Sequence, residues 1–217
     1  MPLTVCLDID GVLADLMGAW QEHYRFAFDA DWSHDGSWDL HKGTCFPSTS
    51  HVFDYLSTVP GFWETLPLYP GVQGGVWHLL NAGHQVYLAT NRTSARLQNA
   101  TTEWVKSWWP ARQQPRIEFV SSTKAHLPGQ VMLEDNPVRI NDLVITQWPV
   151  PVVMDRPWNR DVLPDERLMR VKNFMAEFVD LVDMVDVALS EDRDPLAAVR
   201  VFYGTKRDEK KGEGSDG

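Results

Sequence analysis

The sequence predicts an α/β protein: a doubly wound parallel sheet with a mostly helical cap inserted after the first strand. Three observations carry this. Short apolar runs recur at Leu3–Leu7, Gln85–Ala89, Ile117–Val120, Val131–Leu133 and Val150–Met154, with the length of buried strands. Segments with helical apolar spacing separate most of them, and strand–helix alternation builds a parallel sheet covered on both faces. The stretch 16–66, between the first two runs, holds no convincing long strand and is too long for a simple crossover.

The first run ends at Asp8-Ile9-Asp10-Gly11, where Gly11 signals a turn. A helix-like segment, Leu16 to Phe28, follows and opens the insertion. The insertion carries Trp20, Tyr24, Phe26, Phe28, Trp32, Trp38, Phe46, Phe53, Tyr55, Phe62 and Trp63. Most of these aromatics are expected to build the insertion's own core. Phe62 and Trp63, beside the hinge-like Pro60-Gly61, are the candidates for contact with a flat ligand group.

In Val72–Ala82 the residues Val72, Val76, Leu79 and Leu80 fall at helical spacing, and Gly83 suits the position after the helix end. Ser94 caps the next helix, which presents Leu97, Trp104, Val105 and Trp108 and stops at Pro110. Asn136-Pro137 places a capping residue before a proline suited to a first turn. Residues 166–188 form a long helical pattern through Leu168, Val171, Phe174, Met175, Phe178, Val182 and Val185, and a short element follows near 196–202. The tail 204–217, rich in Lys, Asp, Glu and Gly, reads as disordered. The expected division is therefore a core of 1–15 and 67–203, a cap of 16–66 and the tail.

The chain has 217 residues, room for one domain with an insertion. Its formal net charge of −10 argues against a polynucleotide-binding surface, which rests on many Lys and Arg contacts to phosphates. A small phosphorylated substrate stays compatible, because a metal ion and one or two basic residues suffice to hold one phosphate. No apolar stretch reaches the roughly 18 residues of a membrane span, and no signal peptide is visible. Cys6 and Cys45 are the two cysteines, and Cys6 sits in an expected buried strand. A cytoplasmic location fits. The oligomeric state stays open, a homodimer included.

The chemistry concentrates at the ends of the runs. Asp8 and Asp10 stand at the carboxyl end of the first, where an open parallel sheet binds ligands. Such a pair of hard oxygen ligands suits Mg²⁺, and one carboxylate there could attack phosphorus while its neighbour moves protons. A calcium loop is excluded, since the twelfth position counted from Asp8 is Ala19 rather than Glu. Thr90-Asn91-Arg92 follows the second run, Ser121-Ser122-Thr123-Lys124 the third and Glu134-Asp135-Asn136-Pro137 the fourth. A phosphate's needs, a hydroxyl or amide donor, a cation and further metal ligands, thus appear in order.

These residues resemble the four motifs of the haloacid dehalogenase superfamily of phosphohydrolases, with its Rossmann-like core: Asp8-Ile9-Asp10-Gly11-Val12, Thr90, Lys124, and Glu134-Asp135. Within it the chain is similar to the 5′(3′)-deoxyribonucleotidases, through Asp8 to Asp15, Pro60-Gly61-Phe62-Trp63 and Pro70-Gly71. The resemblance implies that Asp8 forms an aspartyl-phosphate. It implies that Asp10 protonates the leaving oxygen, later activates water, and gives its backbone carbonyl to Mg²⁺. Thr90 and Asn91 would hold phosphate oxygens, Lys124 would neutralise charge on nucleophile and phosphoryl group, and Asp135 would complete the metal site, with Glu134 a direct or water-mediated partner of the metal. Two features depart from the family: Asn91-Arg92 replaces a small pair after Thr90, and Glu134 replaces the commoner Asp. Arg92 is expected either to donate to phosphate or to face solvent.

The implied function is Mg²⁺-dependent hydrolysis of nucleoside monophosphates, with deoxyribonucleotides favoured. The alternatives are another small phosphomonoester, a nucleic-acid 3′-phosphate end, or a non-catalytic binding protein on the same core. Clustered buried charge argues against the last, because a scaffold would gain nothing from it.

Overall fold

A computed structural model describes residues 2–121, 123–146, 150–162 and 167–200. Ser122, the tail 204–217 and the end of the element expected near 196–202 lie outside the described residues; residues 195–200 are helical.

Six strands form one parallel sheet: β1 (Thr4–Asp8), β2 (Gln85–Thr90), β3 (Arg116–Phe119), β4 (Val131–Glu134), β5 (Val150–Met154) and β6 (Met169–Val171), in spatial order β3-β2-β1-β4-β5-β6. The helices are α1 (Leu16–Phe28), α2 (Thr49–Leu56), α3 (Val72–Asn81), α4 (Ala95–Trp108), α5 (Pro137–Ile145) and α6 (Asp180–Ser190). Among the described residues no helix is long and apolar enough to cross a membrane.

Strand side chains alternate between faces, and the core divides accordingly. Val5, Leu7, Leu88, Val131, Leu133 and Val152 point to the larger cluster, with Val76 and Leu79 of α3, Trp104 and Val105 of α4, and Leu181 and Val185 of α6. Cys6, Ala89 and Met132 point to the other, with Leu143 of α5, Val120 and Leu127. A sheet buried on both faces needs near-continuous apolar strands, which is why β4 and β5 carry no polar interior residue before Glu134. Caps close the helices as the sequence suggests. Ser94 accepts a hydrogen bond from the Leu97 amide, and Asn136 accepts from the amides of Val138 and Arg139.

One expectation is corrected. Residues 166–188 are not a single helix. Met169–Val171 pairs with Val152–Met154 as a sixth strand, Phe174–Val179 forms a π-helical stretch, and α6 begins only at Asp180. A three-residue edge strand is too short to show a period of its own. Val171 and Phe174, three apart, are both buried and imitate helical spacing.

The chain runs out from β1 at the middle of the sheet, then places β2 and β3 on one side and β4, β5 and β6 on the other. The winding reverses between β1 and β4, so their carboxyl ends open the crevice in which doubly wound sheets bind ligands. The 16–66 segment leaves and returns beside this crevice. Its two ends are tied together: the Asp15 amide donates to the Pro67 carbonyl at 2.8 Å, and the Tyr69 amide donates to the Leu13 carbonyl at 2.9 Å. Its interior is aromatic. Trp20 is fully buried, meets Tyr24, Phe46 and Tyr55 edge-on, and donates its indole N–H to the Leu40 carbonyl at 2.9 Å.

Candidate active site

Asp8 ends β1 and Glu134 ends β4, adjacent strands in register through Leu7 and Leu133. Lys124, from the loop after β3, is buried between them. Its ammonium pairs with Asp8 and donates to Glu134 Oε2 at 2.8 Å. Glu134 Oε1 accepts from the amides of Asp135 and Asn136 at 3.1 and 3.0 Å. Asp135 Oδ2 accepts from the Trp158 indole at 2.9 Å, while Asp135 Oδ1 is buried with no hydrogen-bond partner among the described residues. Each of Asp8, Glu134 and Asp135 offers one carboxylate oxygen, all within 4.8 Å of one another.

This charge balance is poor as it stands. Three buried acids face one ammonium. Burial, then the neighbouring Glu134, push the Asp8 carboxyl up to about 7 even though Lys124 pulls it down. Burial and the charges of Asp8 and Glu134 likewise push Asp135 well above the usual carboxylate range, with the Trp158 N–H opposing. Burial alone would lower Lys124, but Asp8 and Glu134 outweigh it and hold the ammonium above its ordinary value. An all-oxygen cluster with surplus negative charge and one orphaned oxygen fits a hard divalent cation such as Mg²⁺. The site is packed to that end. Gly11 has φ +81°, and a Cβ there would overlap the Asp135 carboxylate. Arg156 fixes the Gly11 turn, donating from Nε to the Gly11 carbonyl at 2.6 Å with its guanidinium 3.8 Å from the Tyr69 ring centroid.

Above these groups lies an open cavity of about 760 Å³, its solvent mouth included. Asp8, Asp10, Thr90, Asn91, Lys124, Glu134 and Asp135 all line it. The 16–66 segment contributes Leu16, Met17, Trp38, Leu40, Thr49 and Phe53, and the core adds Arg139 and Trp158.

Three expected contacts are not where the sequence placed them. Phe62 and Trp63 do not line the cavity: they are 8% and 2% exposed, packed against each other, with Trp63 stacked on Phe53 at 5.5 Å. The insertion's aromatics that line the cavity are Trp38 and Phe53 instead. Arg92 neither faces solvent nor lines the cavity. It is 2% exposed, and its guanidinium binds the Asp10 carboxylate. Asp10, in turn, stands apart from the Asp8–Glu134–Asp135 cluster.

Sequence reading missed Trp158. It lies in the 3₁₀ turn Pro157–Asn159 directly after β5, and its place past a strand's carboxyl end was the available signal. It missed Trp38 and Phe53 as lining residues because a long irregular insertion gives no period from which to infer which aromatics face inward.

Known proteins share sequence and fold with this chain. A model of the family described as "5′ nucleotidase, deoxy (Pyrimidine), cytosolic type C protein" matches residues 2–188. Two curated relatives, from Bordetella pertussis and Bordetella bronchiseptica, are named as candidate 5′(3′)-deoxyribonucleotidases. Each is 25% identical over 173 residues, covering 76% of this chain and 90% of its own. Among solved structures, a haloacid dehalogenase-like hydrolase from Xanthomonas campestris has a TM-score of 0.56 at 15% identity over 88% of this chain and 98% of its own. A haloacid dehalogenase-family hydrolase from Deinococcus radiodurans has a TM-score of 0.51 at 15% identity, over 87% and 96%. The structural likenesses bear on the fold.

Proposed function

The chain belongs to the cytosolic type C 5′-nucleotidase family of haloacid dehalogenase-like phosphatases, and from that premise we propose that it hydrolyses deoxyribonucleoside monophosphates through a covalent intermediate on Asp8. The carrying observation is the convergence of Asp8, Lys124, Glu134 and Asp135 beneath a cavity walled on its far side by Trp38, Leu40 and Phe53. In this reading 16–66 is a cap over a core of 1–15 and 67–203. A cytoplasmic setting belongs to the same proposal, as both cysteines are free.

The chemistry follows from the placement. An Asp8 carboxylate oxygen attacks phosphorus, the ester P–O bond breaks, and Asp10 gives its proton to the departing sugar oxygen. Asp10 then takes a proton from water. The water oxygen bonds to phosphorus, the bond to Asp8 breaks, and inorganic phosphate leaves with Asp10 protonated again. Lys124 holds charge on both nucleophile and phosphoryl oxygens, and Thr90 and Asn91 bind the phosphate from the end of β2. Asp8, Asp135 and the Asp10 carbonyl would hold Mg²⁺, with Glu134 bound to Lys124 and orienting the Asp135 turn. The cation would neutralise charge developing on the transferred group.

A phosphate-release screen over nucleoside 5′- and 3′-monophosphates and sugar phosphates, with and without Mg²⁺, tests this. Deoxyribonucleotides are expected to lead, and a preference for sugar phosphates over every nucleotide overturns the substrate class.

Base recognition moves to Trp38 and Phe53. Stacking of a base on an aromatic ring is worth ~1–3 kcal/mol. Trp38→Ala or Phe53→Ala is therefore expected to raise KM about tenfold for a nucleotide and to leave KM for 4-nitrophenyl phosphate unchanged. Equal increases on both substrates would remove these rings from base recognition.

Trp158 has a separate role. Its N–H holds Asp135 Oδ2, and its ring packs 6.0 Å from Trp38. Trp158→Phe keeps the ring and removes the N–H. Residues that orient metal ligands typically govern ~10–100-fold in metal affinity, so Mg²⁺ affinity measured by calorimetry is expected to fall about tenfold. Unchanged affinity would mean that the indole only packs.

A further inference from the structure

The geometry points to Arg92 as a positioning residue that holds the Asp10 carboxylate for proton transfer, rather than as a phosphate or substrate ligand. The inference rests on the phosphatase reading and deepens it. Arg92 follows Thr90 by two residues at the end of β2, where a phosphate donor was expected. Its guanidinium is instead buried, does not line the cavity and binds the Asp10 carboxylate. Nη2 donates to Asp10 Oδ1 at 2.5 Å and Nε to Asp10 Oδ2 at 3.3 Å.

The remaining sides of the guanidinium are also fixed. Nη1 donates to Thr101 Oγ1 at 2.7 Å, and Thr101 Oγ1 donates onward to the Leu97 carbonyl of α4 at 2.7 Å. The guanidinium carbon lies 4.7 Å from the Trp63 ring centroid. Gln98 Nε2 donates to the Arg92 carbonyl at 3.2 Å and braces the backbone. A guanidinium presents a rigid fork that matches a carboxylate through two bonds, so its orientation dictates that of Asp10.

Asp10 needs such a partner. Glu134 is held by Lys124 and two amides, and Asp8 by Lys124, but neither of these groups reaches the Asp10 side chain. The Asp10 side chain is 19% exposed at the cavity wall. Without the fork it is free to rotate away from the leaving oxygen. A carboxylate has about four lone-pair sites. Arg92 uses two, and the others stay available to carry and return a proton. An arginine that bound phosphate directly would have to leave this buried clamp and strand its charge partner.

The distinguishing property is dependence on the leaving group. A sugar alkoxide must be protonated as it departs, whereas 4-nitrophenolate leaves unaided. General acid catalysis contributes typically 10²–10⁴-fold. With enzyme in excess over substrate, so that only the first P–O cleavage is timed, Arg92→Gln is expected to slow nucleoside release from a nucleoside monophosphate about 100-fold. It is expected to slow 4-nitrophenolate release from 4-nitrophenyl phosphate less than about fivefold. Arg92→Lys, which keeps charge and loses the fork, should show the same split, and guanidinium ion should restore nucleoside release to Arg92→Ala.

Equal losses on both substrates, or no loss on either, overturn the inference. If Arg92→Gln does not fold, the split in Arg92→Lys decides. A wild-type chain that cleaves 4-nitrophenyl phosphate but no nucleotide fails the nucleotidase reading alone, and glycerol 2-phosphate then serves as the alkyl ester in the same comparison.

Discussion

Asp8→Asn is expected to lower phosphatase turnover on the order of 10⁴-fold or more, the scale on which removal of a covalent nucleophile is felt, and to leave the fold at least as stable as before. The two halves have different causes. The amide oxygen of Asn is too weak a nucleophile to form the phosphoryl bond, and the other cavity carboxylates have other duties: Glu134 is bound on both oxygens, Asp10 is held by Arg92, and Asp135 would hold the cation. Stability should not suffer, because Asn matches Asp in shape and removes one acid from a cluster that has too many. Lys124 keeps Glu134 at 2.8 Å and is not left unpaired. Burial and Glu134 already disfavour charge on Asp8. Steady-state rates and a thermal melt of the same preparation check both halves. Turnover within tenfold of wild type would remove Asp8 from the covalent role.

The core was legible because its physics is local. Five strands were readable as apolar runs, since a sheet buried on both faces leaves little choice of residue. Asp8, Lys124, Glu134 and Asp135 stood out because carboxylates and an ammonium are costly to bury, and each follows a strand at its carboxyl end. The sixth strand was illegible: Met169–Val171 pairs with β5 alone, and the apolar residues around it fit a helix equally well. The direction of Arg92 was also illegible. It depends on Asp10 and Thr101, 82 residues and 9 residues away, converging on one guanidinium. Trp63 and Trp38 are the same residue type in the same insertion, yet the first is nearly buried beneath Arg92 and the second lines the cavity. Only tertiary packing separates them.

Removing Mg²⁺ is expected to abolish activity and to lower the melting temperature by an amount that grows with pH. Asp8 has an ordinary value of 3.8 and is raised to about 7 in the metal-free fold. A raised carboxylate favours the folded state while it is protonated. Its contribution is therefore present below about 4, declines as pH rises, and is lost by about 7. Asp135 is raised as well and acts in the same direction. At pH 8 the metal-free chain must hold its buried carboxylates against Lys124 alone, and a divalent cation relieves that repulsion. At pH 5.5 the cation must first displace protons, which weakens its binding. The histidines His23, His34 and His84 are lowered by burial and act oppositely, adding stability as pH rises through the usual histidine range. Comparing Mg²⁺-loaded with chelated protein at each pH cancels their share. Ligand at 100 times its Kd adds ~2.7 kcal/mol, and at ~2–4 °C per kcal/mol for a chain of this size the shift at pH 8 should be about 5–10 °C, shrinking toward pH 5.5. Asp135→Asn should raise the metal-free melting temperature and erase most of the Mg²⁺ shift, because it removes both the repulsion and a ligand. Full activity after exhaustive chelation, or a melting temperature at pH 8 that ignores Mg²⁺, would show that the acidic cluster does not hold the cation.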